Sequence, residues 1–285
     1  MVIIKSEAIT QTVKEMCVEA NCNLPEDIRK VISEGYKKEV SPIGKEIFEQ
    51  IEKNYKIAEE KQIPICQDTG MAVFFVDIGN EVYIEGDTIT DAINEGVRLG
   101  YKDGYLRKSI VEDPLFRKNT NDNTPAVIHY SFSKGTEIKI TIVPKGFGSE
   151  NMSAIKMFAP SAGVESIKKF VAETADNAGS NPCPPIIVGV GIGGDFESCA
   201  IMAKKALARE AGSRNKNSYY ANLEDEILEL INKTGIGPQG FGGKVTALSV
   251  NIETAPTHIA GMPCAVNISC HASRHLTKTL SGDSM

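Results

Sequence analysis

The chain has seven cysteines in 285 residues, at 17, 22, 66, 183, 199, 264 and 270. Three stand in polar, Pro- or Gly-rich settings where a buried apolar thiol would not be placed. These are Cys66 in PICQDTG, Cys183 in NPCPPI and Cys270 in NISCHASRH. The other four lie beside helix or strand patterns and read as small packed hydrophobes: Cys17 and Cys22 near the first helix, Cys199 in a later helix, Cys264 opening a strand. An odd, scattered set in a chain long enough to build a large core argues against a disulfide framework and for a reducing cytoplasm. None of the three candidates belongs to a CxxC or CxxH pair of the kind zinc sites use. Three thiolates far apart in sequence suit instead an iron–sulfur cluster with one iron left without a protein ligand, and such an iron is an open Lewis-acid site.

The neighbours of the first cysteine add to this. Gln67 and Asp68 follow Cys66 directly, and two residues reach at most about 7 Å along the chain. A ligand at Cys66 therefore holds an amide and a carboxylate beside the open face of a metal. The carboxylate can exchange a proton while the amide orients a substrate carboxylate. The competing reading of Asp68 is a turn in which its side chain accepts main-chain hydrogen bonds near Gly70, since Asp-Thr-Gly is ordinary turn chemistry. A second motif, GVGIGG at 189–194, is literally a GxGxxG between a strand and a helix. No β-α-β unit surrounds it, and no acidic residue ends a second strand about 20 residues on, as dinucleotide binding requires. A tight strand-to-helix turn that binds an anion or simply packs closely is the plainer reading.

The elements that must position these residues follow from periodicity. The first sixty residues read as helix, with one apolar stripe through Ile28, Val31, Ile32 and Tyr36 and another from Ile43 to Ala58. AVFFVDI and EVYIEG read as strands joined by a turn at Gly79-Asn80, and Thr90 to Lys102 as a helix. AVIHYSF and EIKITIV alternate around Ser-Lys-Gly, which predicts a hairpin. Helices are expected near 161–177, 196–211 and 222–233, with PPIIVGVGI, KVTALSVNI and CAVNIS as further strands. Without regular β-α alternation the fold class is α+β, with antiparallel or mixed sheet. One large domain is expected, a helical arm over 1–62 and a mixed body over 63–285.

Composition excludes other classes. The 37 acidic and 31 basic residues leave a formal charge of −6, and the chain has no Trp, so neither a polyanion-binding nor a base-stacking surface is supplied. Apolar runs are strand-sized, so no membrane span is expected, and the amino terminus does not read as a secretory signal.

ICQDTG, GYLRKSIVEDPL, KGFGSENMSAIKMF, NPCPPIIVGVGIGG, GIGPQGFGG and NISCHASRH resemble, in that order, motifs of the class I fumarate hydratase and L-tartrate dehydratase family. The resemblance runs over nearly the whole chain, which corresponds to the amino-terminal catalytic half of one-chain members or to a separate alpha subunit. It implies the family's own iron–sulfur hydro-lyase fold and an oxygen-sensitive [4Fe-4S] cluster ligated by Cys66, Cys183 and Cys270. It places Gln67, Asp68, Arg107, the loop at Gly148 and His258 at a small dicarboxylate substrate, with Asp68 catalytic; Gly146 is an alternative to Gly148. His271 and His275 are expected to be exposed or to support the ligands from behind, and His129 to be structural. The activity implied is reversible hydration of fumarate to (S)-malate. L(+)-tartrate dehydration is the alternative within the family, and a redox or sensor protein carrying a cluster is the alternative outside it. Arg107 is the only obvious permanent cation in the motifs, too few for a dianion. A beta subunit is therefore expected to complete the site, in an α2β2 assembly or around an α homodimer core.

Overall fold

The computed structural model describes residues 1–284. The chain opens with β1 (Val2–Lys5), α1 (Ser6–Cys22), α2 (Glu26–Lys38) and α3 (Pro42–Lys61). β2 (Met71–Gly79), β3 (Val82–Glu85), α4 (Ile89–Asp103), β4 (Val127–Ser133) and β5 (Glu137–Lys145) follow. Next come α5 (Phe147–Glu150), β6 (Ala154–Phe158), α6 (Gly163–Ala178), β7 (Ile186–Gly194), α7 (Phe196–Ala206) and α8 (Ser218–Asn232). β8 (Ala247–Thr257), β9 (Met262–Ser269), β10 (Leu276–Ser281) and β11 (Asp283–Ser284) end the described chain. Helices and mixed sheets together make an α+β fold, as expected. Two compact units are formed. One comprises Met1–Pro25, Tyr55–Gly146 and the segment from Arg274 onward; the other comprises Glu26–Asn54 and Phe147–Ser273.

In the first unit, α1 buries Ile9, Val13, Met16, Cys17 and Ala20, the i, i+4, i+7, i+8, i+11 stripe of an amphipathic helix. It packs with α4, whose start is capped by Thr88 accepting from the Asp91 N–H. Both lie over a four-stranded sheet of order β10-β5-β2-β4, and Phe74, Ile138, Ile140 and Ile142 fill the space between. A small second sheet has the order β11-β1-β3.

Two expectations fail here. Residues 2–5, read as helix, form β1, paired in parallel with β3; VIIK holds three β-branched residues in a run of four, too short to reveal a period. The predicted β4–β5 hairpin does not form either. β2 lies between them, parallel to β4 and antiparallel to β5. The Ser-Lys-Gly turn instead gives its main-chain groups to the β2 end, with Asn80 N donating to Ser133 O at 2.8 Å and Glu81 N to Gly135 O at 3.0 Å. β4 is largely exposed whereas β2 is mostly buried, so the more hydrophobic strand β2 takes the place between β4 and β5.

The second unit is built on a sheet of order β6-β9-β7-β8, with β7 parallel to β8 and antiparallel to β9. α6 and α8 cover it through Ile167, Val171, Ile227 and Ile231, against Val188, Val190, Ile252 and Val266. β7 is buried along nearly its whole length, as its continuous apolar run requires. The GVGIGG stretch is the end of β7. A Cβ on Gly189 would strike the Ala203 carbonyl oxygen, and one on Gly191 the Cys199 carbonyl oxygen, both on α7. These glycines serve close strand–helix packing, and α7 then starts at Asp195 with a reciprocal Asp195–Ser198 cap. No helix among the described residues is long and apolar enough to cross a membrane.

Candidate active site

The first unit carries Cys66, Gln67, Asp68 and Arg107. The loop from Cys66 to Gly70 leaves no helix or strand of its own, so its shape depends on outside partners. Asp68 N donates to Cys66 Sγ at 3.4 Å, folding the chain back on the thiol, and that thiol also lies 3.4 Å from Gln67 Oε1. One carboxylate oxygen of Asp68 accepts from Gly70 N at 3.0 Å. The turn-forming reading of Asp68 is thus correct for Oδ1. It does not exhaust the side chain: a Cβ built on Gly146 would sit 3.2 Å from Asp68 Oδ2, so the second oxygen faces the bare backbone of the KGFGSEN motif.

Three consecutive carbonyls of this loop are held by buried side chains. Arg274 Nη2 donates to Asp68 O at 3.0 Å. Tyr101 OH, on α4, lies 3.0 Å from Thr69 O and 3.1 Å from Gly70 O. Asn123 Nδ2 donates to Gly70 O at 3.3 Å. Thr69 Oγ1 donates to Arg107 O at 3.1 Å, which ties the Arg107 main chain to the loop and leaves its guanidinium exposed.

Two further cations of the motifs are buried. Lys145 and Arg274 are 1% and 3% exposed. Lys145 Nζ donates to Gly146 O at 3.3 Å, and Arg274 Nη1 to Asn21 Oδ1 at 2.7 Å. Each sits inside a motif already singled out, KGFGSEN and SCHASRH. Nothing in their spacing separates a buried cation from a surface one, so sequence reasoning missed both.

The second unit carries Cys183, Cys270, Gly148 and His258. Cys183 is exposed and Cys270 half-buried. Their loops meet, since His271 Nδ1 lies 3.0 Å from Cys183 O. Gly148 lies in α5, where its nearest neighbour for an added Cβ is Asn181 O at 3.7 Å. α5 is anchored by Glu150, which pairs with Lys204 of α7 and accepts from Asn267 Nδ2 of β9 at 3.0 Å. His258 occupies the exposed turn between β8 and β9, its Nδ1 accepting from Ala260 N at 3.1 Å. His129 stacks on Phe75 with ring centroids 5.1 Å apart, a structural contact in β4 and β2.

The seven thiols divide as their settings imply. Cys17, Cys22, Cys199 and Cys264 are buried. Burial pushes all four thiols up from their ordinary value, Cys264 to about 12. Such groups stay protonated and inert. Cys66, Cys183 and Cys270 are the accessible soft donors, and their chemistry fits an iron–sulfur group. Among the described residues no three His, Cys, Asp or Glu side chains form a metal-holding group, so the fit rests on the donors within each unit.

A family model described as fumarate hydratase (Fumerase) matches residues 10–279. The chain is 46% identical over 281 residues to a Methanocaldococcus jannaschii protein named "Putative L(+)-tartrate dehydratase subunit alpha", covering 96% of this chain and 98% of the relative. It is 31% identical over 278 residues to the L(+)-tartrate dehydratase subunit alpha of Escherichia coli K12, covering 96% and 91%. Matches over 96% of the chain reach into both units, and the chain belongs to the fumarate hydratase (Fumerase) family.

Proposed function

We propose that this chain is the alpha subunit of an iron–sulfur hydro-lyase that reversibly hydrates fumarate to (S)-malate. The observation that carries this is the Cys66–Asp68 loop, where a half-exposed thiol accepts the N–H of a carboxylate residue two positions on, in a chain of the fumarate hydratase family. Cys66, Cys183 and Cys270 would hold a [4Fe-4S] cluster with one iron free of protein ligands, which when bound supplies a Lewis acid toward substrate oxygen.

The chain's own residues supply the rest. Asp68 Oδ1 accepts from Gly70 N, which fixes the plane of the carboxylate that takes or gives the proton exchanged at the substrate. Gln67 is exposed beside it, with an amide suited to orienting a substrate carboxylate. The exposed guanidinium of Arg107 can fork onto a carboxylate bidentately. Gly148 contributes a main-chain contact and His258 an orienting one. Water addition needs two proton-transfer events on opposite partners, and Asp68 serves one. A beta subunit would supply the other, together with further cations for the second carboxylate, in an α2β2 assembly or around an α homodimer core.

The second reading, dehydration of L(+)-tartrate, is favoured by the names of the two relatives. The test is anaerobic reconstitution with iron and sulfide, with and without the beta subunit, followed by assays on fumarate and on L(+)-tartrate. Malate formed from fumarate is expected, with turnover lowered roughly 10²-fold or more by Asp68→Asn and lost reversibly in air. Oxaloacetate from tartrate, without malate from fumarate, would select the second reading. Activity toward neither would end both.

A further inference from the structure

The GIGPQGFGG motif has no part in the chemistry just described, yet its Gln239 reaches the loop that carries Cys183. That loop reads Asn181-Pro182-Cys183-Pro184-Pro185. Three of its residues are prolines without an N–H, so it cannot knit itself together by main-chain bonds. Cys183 N donates to Ser180 O, just before the loop, at 3.0 Å. Cys183 also stands at φ 54°, a left-handed conformation that is strained for a non-glycine residue. Something outside the loop must hold it there.

Two side chains are placed to do so. Gln239 donates to Pro184 O twice, from its main-chain N at 2.7 Å and from Nε2 at 2.8 Å. His271 places Nδ1 3.0 Å from Cys183 O and 3.2 Å from Gln239 Nε2. Gln239 is itself left-handed, at φ 53° and ψ 15°, which turns its N–H and its amide toward the same acceptor. The motif around it is rigid: Gly242 N donates to Ile236 O at 2.9 Å and Gly237 N to Thr246 Oγ1 at 3.1 Å. The buried Glu39 carboxylate then accepts from Lys244 N and Val245 N.

We infer that Gln239 is a positioning residue that, with His271, clamps the carbonyls of Cys183 and Pro184 and so holds the Cys183 thiol in its ligating conformation before any metal arrives. This rests on the reading of Cys183 as a ligand. It explains why a glycine-rich motif 55 residues away from Pro184 accompanies the cysteine. A thiolate held in place gives up less conformational freedom on ligation, and partners that orient ligands in this way typically contribute roughly 10- to 100-fold in metal affinity.

The test compares the full chain with Gln239→Ala and Gln239→Glu, the second keeping the side-chain length while replacing the Nε2 donor by an acceptor. His271→Ala is the independent variant if either fails to fold, folding being checked by circular dichroism melting. In the apo chain, alkylation of each cysteine by iodoacetamide is followed by peptide mass spectrometry. Cys183 is expected to react several-fold faster in the variants, with Cys66 unchanged. In the reconstituted chain, iron release to a chelator is expected to speed up roughly tenfold. Wild-type rates in either measurement would overturn the inference. If the wild-type chain takes up no cluster, the iron–sulfur reading fails, and Cys183 alkylation alone decides whether the clamp exists.

Discussion

The guanidinium of Arg274 donates from Nη2 to the main-chain carbonyl of Asp68 at 3.0 Å, across 206 residues of sequence. Its other terminal nitrogen is taken by Asn21 Oδ1. Arg274 therefore acts on the proposed proton-transfer residue through the backbone. Arg274→Ala would remove one donor from Asn21 Oδ1 and one from Asp68 O and is expected to cost about 2–4 kcal/mol of stability. Arg274→Lys keeps the charge without the planar fork and is expected to lose about half as much. Urea unfolding of the three proteins checks both figures. Equal stability for the alanine variant would mean that the loop holds its shape without this bond.

A second expectation separates the two glycines of KGFGSEN. A methyl on Gly146 would press on Asp68 Oδ2 from 3.2 Å, whereas one on Gly148 would meet only Asn181 O at 3.7 Å, an ordinary contact. Gly146→Ala is expected to lower turnover by at least roughly tenfold, because small displacements of a reacting group are costly, while the melting temperature stays nearly unchanged. Gly148→Ala is expected to do much less to turnover. The reverse order in a steady-state assay would show that Asp68 tolerates a methyl group beside it.

Glu39 gives the clearest pH dependence. Burial by itself raises its pKa, but N–H groups of Lys244, Ser41, Val245 and Val40 outweigh that and hold the carboxyl below its ordinary value of 4.5. The folded state thus prefers the ionised form. Its contribution is present above the ordinary pKa and is lost as pH falls through the depressed folded value. Glu39→Gln is expected to be less stable at neutral pH by about 2–3 kcal/mol and to show a shallower acid limb below pH 4.5. Denaturation midpoints measured along the pH axis test this, and parallel limbs for the two proteins would remove Glu39 from the acid transition.

The elements legible in the sequence were those whose order is local. α4 announces itself through the Thr88 cap and the buried stripe of Ala92, Ile93, Val97 and Tyr101. Strand partners are not local, and the alternation of β4 and β5 says which residues face a core without saying which strand lies between them. The site divides in the same way. Polar surroundings were enough to separate Cys66, Cys183 and Cys270 from the four buried thiols. Lys145, Arg274 and Gln239 escaped notice because their importance comes from burial and from main-chain carbonyls they reach, and neither is written in residue type. A lone Arg after SCHAS reads as a surface charge until its partners, Asn21 and Asp68, are known.

The proposed ligand set makes the sharpest prediction. Cys66→Ser, Cys183→Ser and Cys270→Ser each replace an accessible thiol by a hydroxyl that is a poor ligand for iron. Each is expected to abolish the visible absorbance and lower the iron and sulfide content of the anaerobically reconstituted chain, while leaving its fold intact. Cys17→Ser, Cys199→Ser and Cys264→Ser place a hydroxyl in apolar surroundings and are expected to cost about 1–3 kcal/mol of stability while retaining the cluster, since burial already keeps those thiols protonated. The two groups should therefore separate on opposite axes, one losing iron without stability and the other stability without iron. A redox or sensor protein would need a fourth thiolate, and one of the buried cysteines would then join the first group. Iron analysis beside a melting curve for each of the six variants distinguishes these cases. Iron retained by any of the first three would remove that residue from the ligand set.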